Sequence, residues 1–199
     1  MSALFARLSE MHRQGHARSD LVLHQESRFP PEGFGAIRPA AVLAAITERD
    51  QPGVLLIHRP DDMRAHPGQI AFPGGKIDPG EDAVQAALRE AHEELGIASH
   101  HVRVIGTSDL YHTNSGFEIT PVLATIPPNL PIVPNPMEVA QWFEAPLAFV
   151  LDPANQQEVP VEWQGTTHMT WAIEWQHHRI WGVTAALLVN LSRRLGWHG

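Results

Sequence analysis

The stretch GKIDPGEDAVQAALREAHEELGI, Gly75 to Ile97, decides how the chain is read. Pro79 and Gly80 mark a turn, and Asp82 with Gln85 three residues on has the form of a capping box, which predicts a helix over residues 83–95 with its stop at Gly96. At roughly 100° per residue, Val84, Leu88, Ala91 and Leu95 fall on one face, and Glu90, Glu93 and Glu94 on another. The helix is therefore expected to have a packing side and a carboxylate side, with small Ala83 and Ala86 leaving the second open to a ligand. Arg89 stands four residues before Glu93 and is placed to pair with it. Like charges three or four apart cost about 0.2–0.5 kcal/mol per pair, so three glutamates without a lysine ask for a compensating cation. Carboxylate oxygens in a chain without cysteine favour Mg²⁺ or Mn²⁺, ions that share their coordination with substrate phosphates. On periodicity alone, a solvated acidic helix face reads equally well.

Working outward, the stretch 50–97 holds nine acidic and four basic residues, the densest acidity in a chain whose net charge is −8. That balance argues against non-specific nucleic-acid binding, so an anionic substrate must be met by local groups. The length of 199 residues allows one ordinary domain, and 43% hydrophobic residues supply a core. The longest apolar run, Ala40 to Ile46, is far below the roughly 18 residues of a membrane span. With no signal-peptide pattern and no cysteine, a cytoplasmic chain is expected.

Strands are predicted at 40–47, 53–59, 69–72, 102–110, 118–126, 167–173 and 179–181, and further helices at 2–14 and 183–195. This alternation implies an α/β chain with helices on both sides of a mixed sheet. Five prolines within residues 127–136 read as an irregular surface loop, because prolines do not fit a central strand and their spacing is less regular than that of a polyproline ligand.

Gly75, Glu81, and the run Arg89-Glu90-Ala91-His92-Glu93-Glu94-Leu95-Gly96-Ile97 resemble the signature of the Nudix hydrolases without a gap. The resemblance implies a Nudix fold, an α/β/α sandwich with a mixed sheet, in which loop, helix and loop hold divalent metal against a substrate diphosphate. It implies Glu90 and Glu94 as the main metal ligands, Glu93 as a further ligand and Glu81 as a supporting carboxylate. It also assigns Arg89 an orienting role, and Glu93 or Glu90 the part of general base unless a later loop supplies it.

The preceding residues Leu55-Leu56-Ile57-His58-Arg59-Pro60, then Arg64, Gly68 and Phe72-Pro73-Gly74-Gly75, resemble the additional motif of the coenzyme A diphosphatases. Ile57 and Pro60 depart from it, without loss of charge. Arg59 and Arg64 offer planar donor forks for phosphate, and Gly68, Gly74 and Gly75 allow backbone close to a ligand. The expected reaction is hydrolysis of coenzyme A or its derivatives to adenosine 3′,5′-bisphosphate and 4′-phosphopantetheine. The alternatives are another nucleoside diphosphate such as ADP-ribose or a dinucleotide, or a nucleotide-sensing Nudix domain without catalysis. The likeness covers about residues 36–195, so residues 36–199 are read as the hydrolase domain and 1–35 as an N-terminal helix and extension. Of the thirteen histidines, His92, His100, His101, His177 and His178 are read as flanking or hydrogen-bonded groups. Trp171, Trp175 and Trp181 are read first as core or as contacts between two copies of the chain, with adenine stacking as the alternative.

Overall fold

The computed structural model describes residues 2–25, 37–61, 68–163 and 165–197. Its elements run α1 (Ala3–His16), β1 (Arg38–Thr47), β2 (Gly53–His58), β3 (Ile70–Ala71), β4 (Gly74–Lys76), α2 (Ala83–Leu95), β5 (Arg103–Thr107), β6 (Tyr111–His112) and β7 (Phe117–Ile126). They continue with β8 (Gln141–Pro146), α3 (Leu147–Val150), β9 (Gln157–Trp163), β10 (Thr166–Trp175), β11 (His178–Trp181) and α4 (Val183–Leu195).

β1 and β7, both long apolar runs, pair in parallel from Arg38–Phe117 to Thr47–Ile126, while the other pairings are antiparallel. Runs of this kind are what a strand covered on both faces requires. In β1, Ala41, Leu43 and Ala45 face the cluster that includes α2, and Ala44 and Ile46 face the one that includes α1 and α4. The expected layering of helices about a mixed sheet is thus present.

A seam in this sheet positions the site. β1 and β2 are paired at Ile46–Val54, and beyond that point β3 pairs with β2 through Ala71–Ile57 while β4 pairs with β1 through Gly74–Val42. β8 lies along the whole of β2, so β3 and β4 occupy the space that opens between β1 and β2. Residues Phe72 to Gly75 therefore cross the gap at the middle of the sheet.

The tail of the chain departs from the expected single sheet. Residues 166–175 and 178–181 form a separate three-stranded antiparallel sheet with β9, which the sequence pattern does not announce. β9 is an edge strand carrying Pro160, a residue that weakens any strand signature. β8 is likewise unannounced by the sequence pattern, with only Phe143 and Ala145 buried along it. The proline-rich segment is irregular, as expected.

The N-terminal helix shares the core, with Leu8 fully buried. Arg194 of α4 donates two bonds to Asp109, at 2.9 and 2.6 Å, and further bonds to the carbonyls of Gly15 and Arg18. A Cβ at Gly15 would lie 1.7 Å from the Arg194 carbonyl oxygen, so only glycine permits this approach of α1 to α4. Asn190 and His24 exchange side-chain and backbone bonds at 2.8 and 2.9 Å, which fixes the segment after α1. Among the described residues, no helix is long and apolar enough to cross a membrane.

Candidate active site

α2 begins and ends where its caps dictate. Asp82 accepts from the Gln85 amide at 2.8 Å, the Gln85 side chain accepts from the Asp82 amide at 2.9 Å, and Gly96 closes the helix in the left-handed region at φ 69°. The orientation of the helix differs from the expected one. Ala86, Ala87, Ala91 and Leu95 are buried against the sheet, whereas Val84 and Leu88 are only half-buried. Ala86 does not border an open ligand surface; alanines let the helix lie close to the strands, and the carboxylates beside them are pressed into the seam.

There Glu94 is 2% exposed and accepts from the Gly74 amide at 3.0 Å. Glu90 sits against Gly75, where an added Cβ would fall 2.3 Å from its Oε1, so the second glycine is the room the carboxylate occupies. Burial pushes the Glu94 carboxyl up to about 8, outweighing the Gly74 amide and the positive charge of Arg59. Burial also raises Glu90, against the pull of Arg89.

The third acid at this point is Glu138, from the segment before β8. One carboxylate oxygen from each of Glu90, Glu94 and Glu138 lies within 4.8 Å of the others, and this is the sole such metal-sized group among the described residues. Glu138 has no role in the reading of the sequence alone. Its signal was an acid directly following the proline-rich loop.

Glu93 and Glu81 are held elsewhere. Arg89 donates to Glu81 at 2.8 and 3.1 Å, to Glu90 at 2.9 Å, to Glu93 at 3.0 Å and to the Lys76 carbonyl at 3.0 Å. The bond from Arg89, with the Asp78 amide, holds Glu81 below the usual carboxylate range. Glu93 remains 48% exposed at its side chain and does not belong to the trio. Arg89 thus ties Glu81 and the exposed Glu93 to Glu90, one of the buried acids.

Arg59 leaves the end of β2 with its amide on the Gln69 carbonyl at 3.0 Å. Its Nε is buried without a hydrogen-bond partner, and its charge acts on Glu94. A buried guanidinium N–H lacking an acceptor is costly to leave unpaired. Gly68 turns the chain at φ 65°, and a Cβ there would meet Asp61 at 2.5 Å. Arg64 lies outside the described residues. His92 is exposed on α2, and His178 is buried with its Nδ1 2.9 Å from Nε2 of His58. Trp175 stacks on Phe143 and His178, a packing role.

The NUDIX domain family matches residues 37–164. A protein from Enterobacter sp. strain 638, described as an uncharacterised Nudix hydrolase NudL, is 41% identical over 160 residues, covering 80% of this chain and 83% of that one. A counterpart of the same description from Salmonella paratyphi B has the same identity and coverage. The crystal structure of a Nudix hydrolase from M. smegmatis, RenU, is 29% identical with a TM-score of 0.50, covering 57% of this chain and 73% of that one. The chain belongs to the Nudix hydrolases, enzymes acting on pyrophosphate bonds, and its substrate class is a nucleoside diphosphate derivative.

Proposed function

We propose that this enzyme cleaves the diphosphate of coenzyme A or its derivatives, giving adenosine 3′,5′-bisphosphate and a 4′-phosphopantetheine, with Mg²⁺ or Mn²⁺ as cofactor. The observation that carries the reading is Arg59, whose buried Nε lacks an acceptor beside the acid trio, in the segment that resembles the coenzyme A diphosphatase motif. Arg64 is assigned to the same substrate on the motif alone.

The donor set fits the cofactor. Three converging carboxylates, two of them with raised pKa from burial, form a cluster that is costly when charged and empty, and hard oxygen ligands suit Mg²⁺ or Mn²⁺. Glu90, Glu94 and Glu138 would hold the ion, and when bound it neutralises diphosphate charge and lowers the pKa of water. Gly74 lies against the β1 backbone and donates its amide to Glu94, and Gly75 leaves the room that Glu90 takes, so both glycines shape the acid cluster, while Arg59 binds an anionic oxygen through its free N–H. We assign Glu93 as the general base: it stands outside the trio, exposed, and Arg89 keeps its carboxylate within reach of the Glu90 end of the cluster. Glu81 anchors Arg89 from the other side.

Incubation with coenzyme A, acyl-coenzyme A, ADP-ribose and diadenosine polyphosphates, with chromatography of products, tests the reading. Adenosine 3′,5′-bisphosphate should be the main product of the fastest reaction; faster cleavage of ADP-ribose or a dinucleotide would replace coenzyme A by that substrate. Arg59→Ala should also lower kcat/KM for coenzyme A about ten- to hundredfold, the worth of a charge-assisted bond of about 1.5–3 kcal/mol. The loss should be smaller on 3′-dephospho-coenzyme A, and equal losses would move Arg59 from the 3′-phosphate to the diphosphate.

A further inference from the structure

The proline-rich segment is more than a connection, because it is bonded to the end of the box helix. Val133 donates its amide to the Leu95 carbonyl at 2.9 Å, and Asn135 donates its amide to the Glu94 carbonyl at 2.8 Å. Carbonyls in the last turn of a helix have no helical partner, and the loop supplies two of them with donors. One of those carbonyls belongs to the residue whose carboxylate lies in the acid trio.

The side chain of the same asparagine holds another member of the trio. Asn135 Nδ2 donates to Glu138 Oε1 at 3.1 Å, and Asn135 Oδ1 accepts from the Met137 amide at 3.1 Å. The Asn135 carbonyl accepts from the amides of Glu138 and Val139 at 3.0 and 2.8 Å. Pro134 and Pro136 stand on either side, and prolines fix their own φ and restrict the residue before them. Main chain to Glu94 and side chain to Glu138, Asn135 sets the distance between two acids that come from different elements.

We infer that Asn135 is a positioning residue, which holds the Glu138 carboxylate in place against Glu90 and Glu94 so that the three can close on one divalent cation. The inference rests on the cation site of the proposed function. A carboxylate offers about four lone-pair sites, so the single N–H on Oε1 leaves the rest free for an ion. Without that bond the Glu138 side chain, half-buried on a loop, has room to turn away from Glu90 and Glu94.

Asn135→Ser tests this. A serine hydroxyl can still accept the Met137 amide in the turn but is too short to reach Glu138. Mn²⁺ binding is measured by electron paramagnetic resonance without nucleotide, alongside unfolding temperature. The expected result is Mn²⁺ binding about tenfold weaker with an unchanged unfolding temperature, in the range found when a group orienting a metal ligand is removed. The Mg²⁺ concentration for half-maximal hydrolysis should rise in parallel, with KM for the nucleotide held. In a Glu138→Gln background, already weakened, Asn135→Ser should add nothing. Should the serine variant unfold, Asn135→Thr repeats the measurement. Unchanged Mn²⁺ affinity in Asn135→Ser where Glu138→Gln weakens it, or equal losses in both backgrounds, overturns the role of Asn135 and leaves the cation site standing. Mn²⁺ binding untouched by Glu94→Gln overturns the cation site, and the inference with it.

Discussion

Glu94→Gln is expected to lower diphosphate hydrolysis by about a thousandfold at saturating Mg²⁺, with the fold retained. The substitution removes the one fully buried carboxylate of the trio and keeps its shape, and the amide oxygen can still accept from Gly74 at the position of the present 3.0 Å bond. Metal assistance supplies several kcal/mol of charge stabilisation in a transition state, and about 4 kcal/mol corresponds to about a thousandfold in rate. Glu90→Gln should act similarly, its carboxylate lying beside Gly75 in the same cluster. Glu93→Gln should separate from both: hydrolysis falls, while Mn²⁺ binding without substrate is kept, because Glu93 bonds Arg89 and lies outside the trio. Steady-state rates and Mn²⁺ titration of the three variants check this. Near wild-type turnover in Glu94→Gln would remove that residue from the site, and lost Mn²⁺ binding in Glu93→Gln would return it to the ligands.

How much of this was legible depended on whether the determinant was local. α2 and α4 begin and end at the residues the sequence indicates, 83–95 and 183–195, because Asp82, Gln85, Gly96 and Gly196 act within a turn of the helix they bound. The orientation of α2 was not legible. It follows from the seam filled by β3 and β4, whose two and three residues are too short to carry a period, and so the carboxylate side was expected to be open when Glu94 is in fact buried. Glu138 was hidden for a similar reason. Its place comes from the bonds between Asn135 and the end of α2, which join residues about forty apart with no repeating pattern. The docking of α1 depends on Arg194 meeting the Gly15 carbonyl across almost the whole chain, a contact no window of sequence contains.

Metal-free protein is expected to lose stability, relative to its Glu94→Gln variant, as pH rises from about 5 to above 8. The folded carboxyl is pushed up to about 8 by burial, against an ordinary value of 4.5. The folded state therefore holds this proton more tightly than the unfolded chain. The stabilisation is complete below the unfolded value and is lost as pH rises through the folded one. At about 1.4 kcal/mol per unit, the loss approaches roughly 4 kcal/mol, or about 8–16 °C in unfolding temperature for a chain of this size. Glu90, also raised by burial, slopes the same way but is present in both proteins. The opposing groups fall outside the difference. Burial depresses His12, His24, His58 and His178, which favours the folded state as pH rises towards 6.5, equally in both. Asp109, where the bonds from Arg194 outweigh burial, acts only in acid. Thermal unfolding in a chelator at pH 5 and pH 8.5 reads the effect. The two proteins should nearly coincide at pH 5 and separate at pH 8.5 with the variant the more stable, and added Mg²⁺ should raise wild type more than the variant, because the cation replaces the proton that Glu94 has lost. Parallel curves across that range would mean that Glu94 is hydrated in solution and that the site meets the cation as an open, already charged cluster.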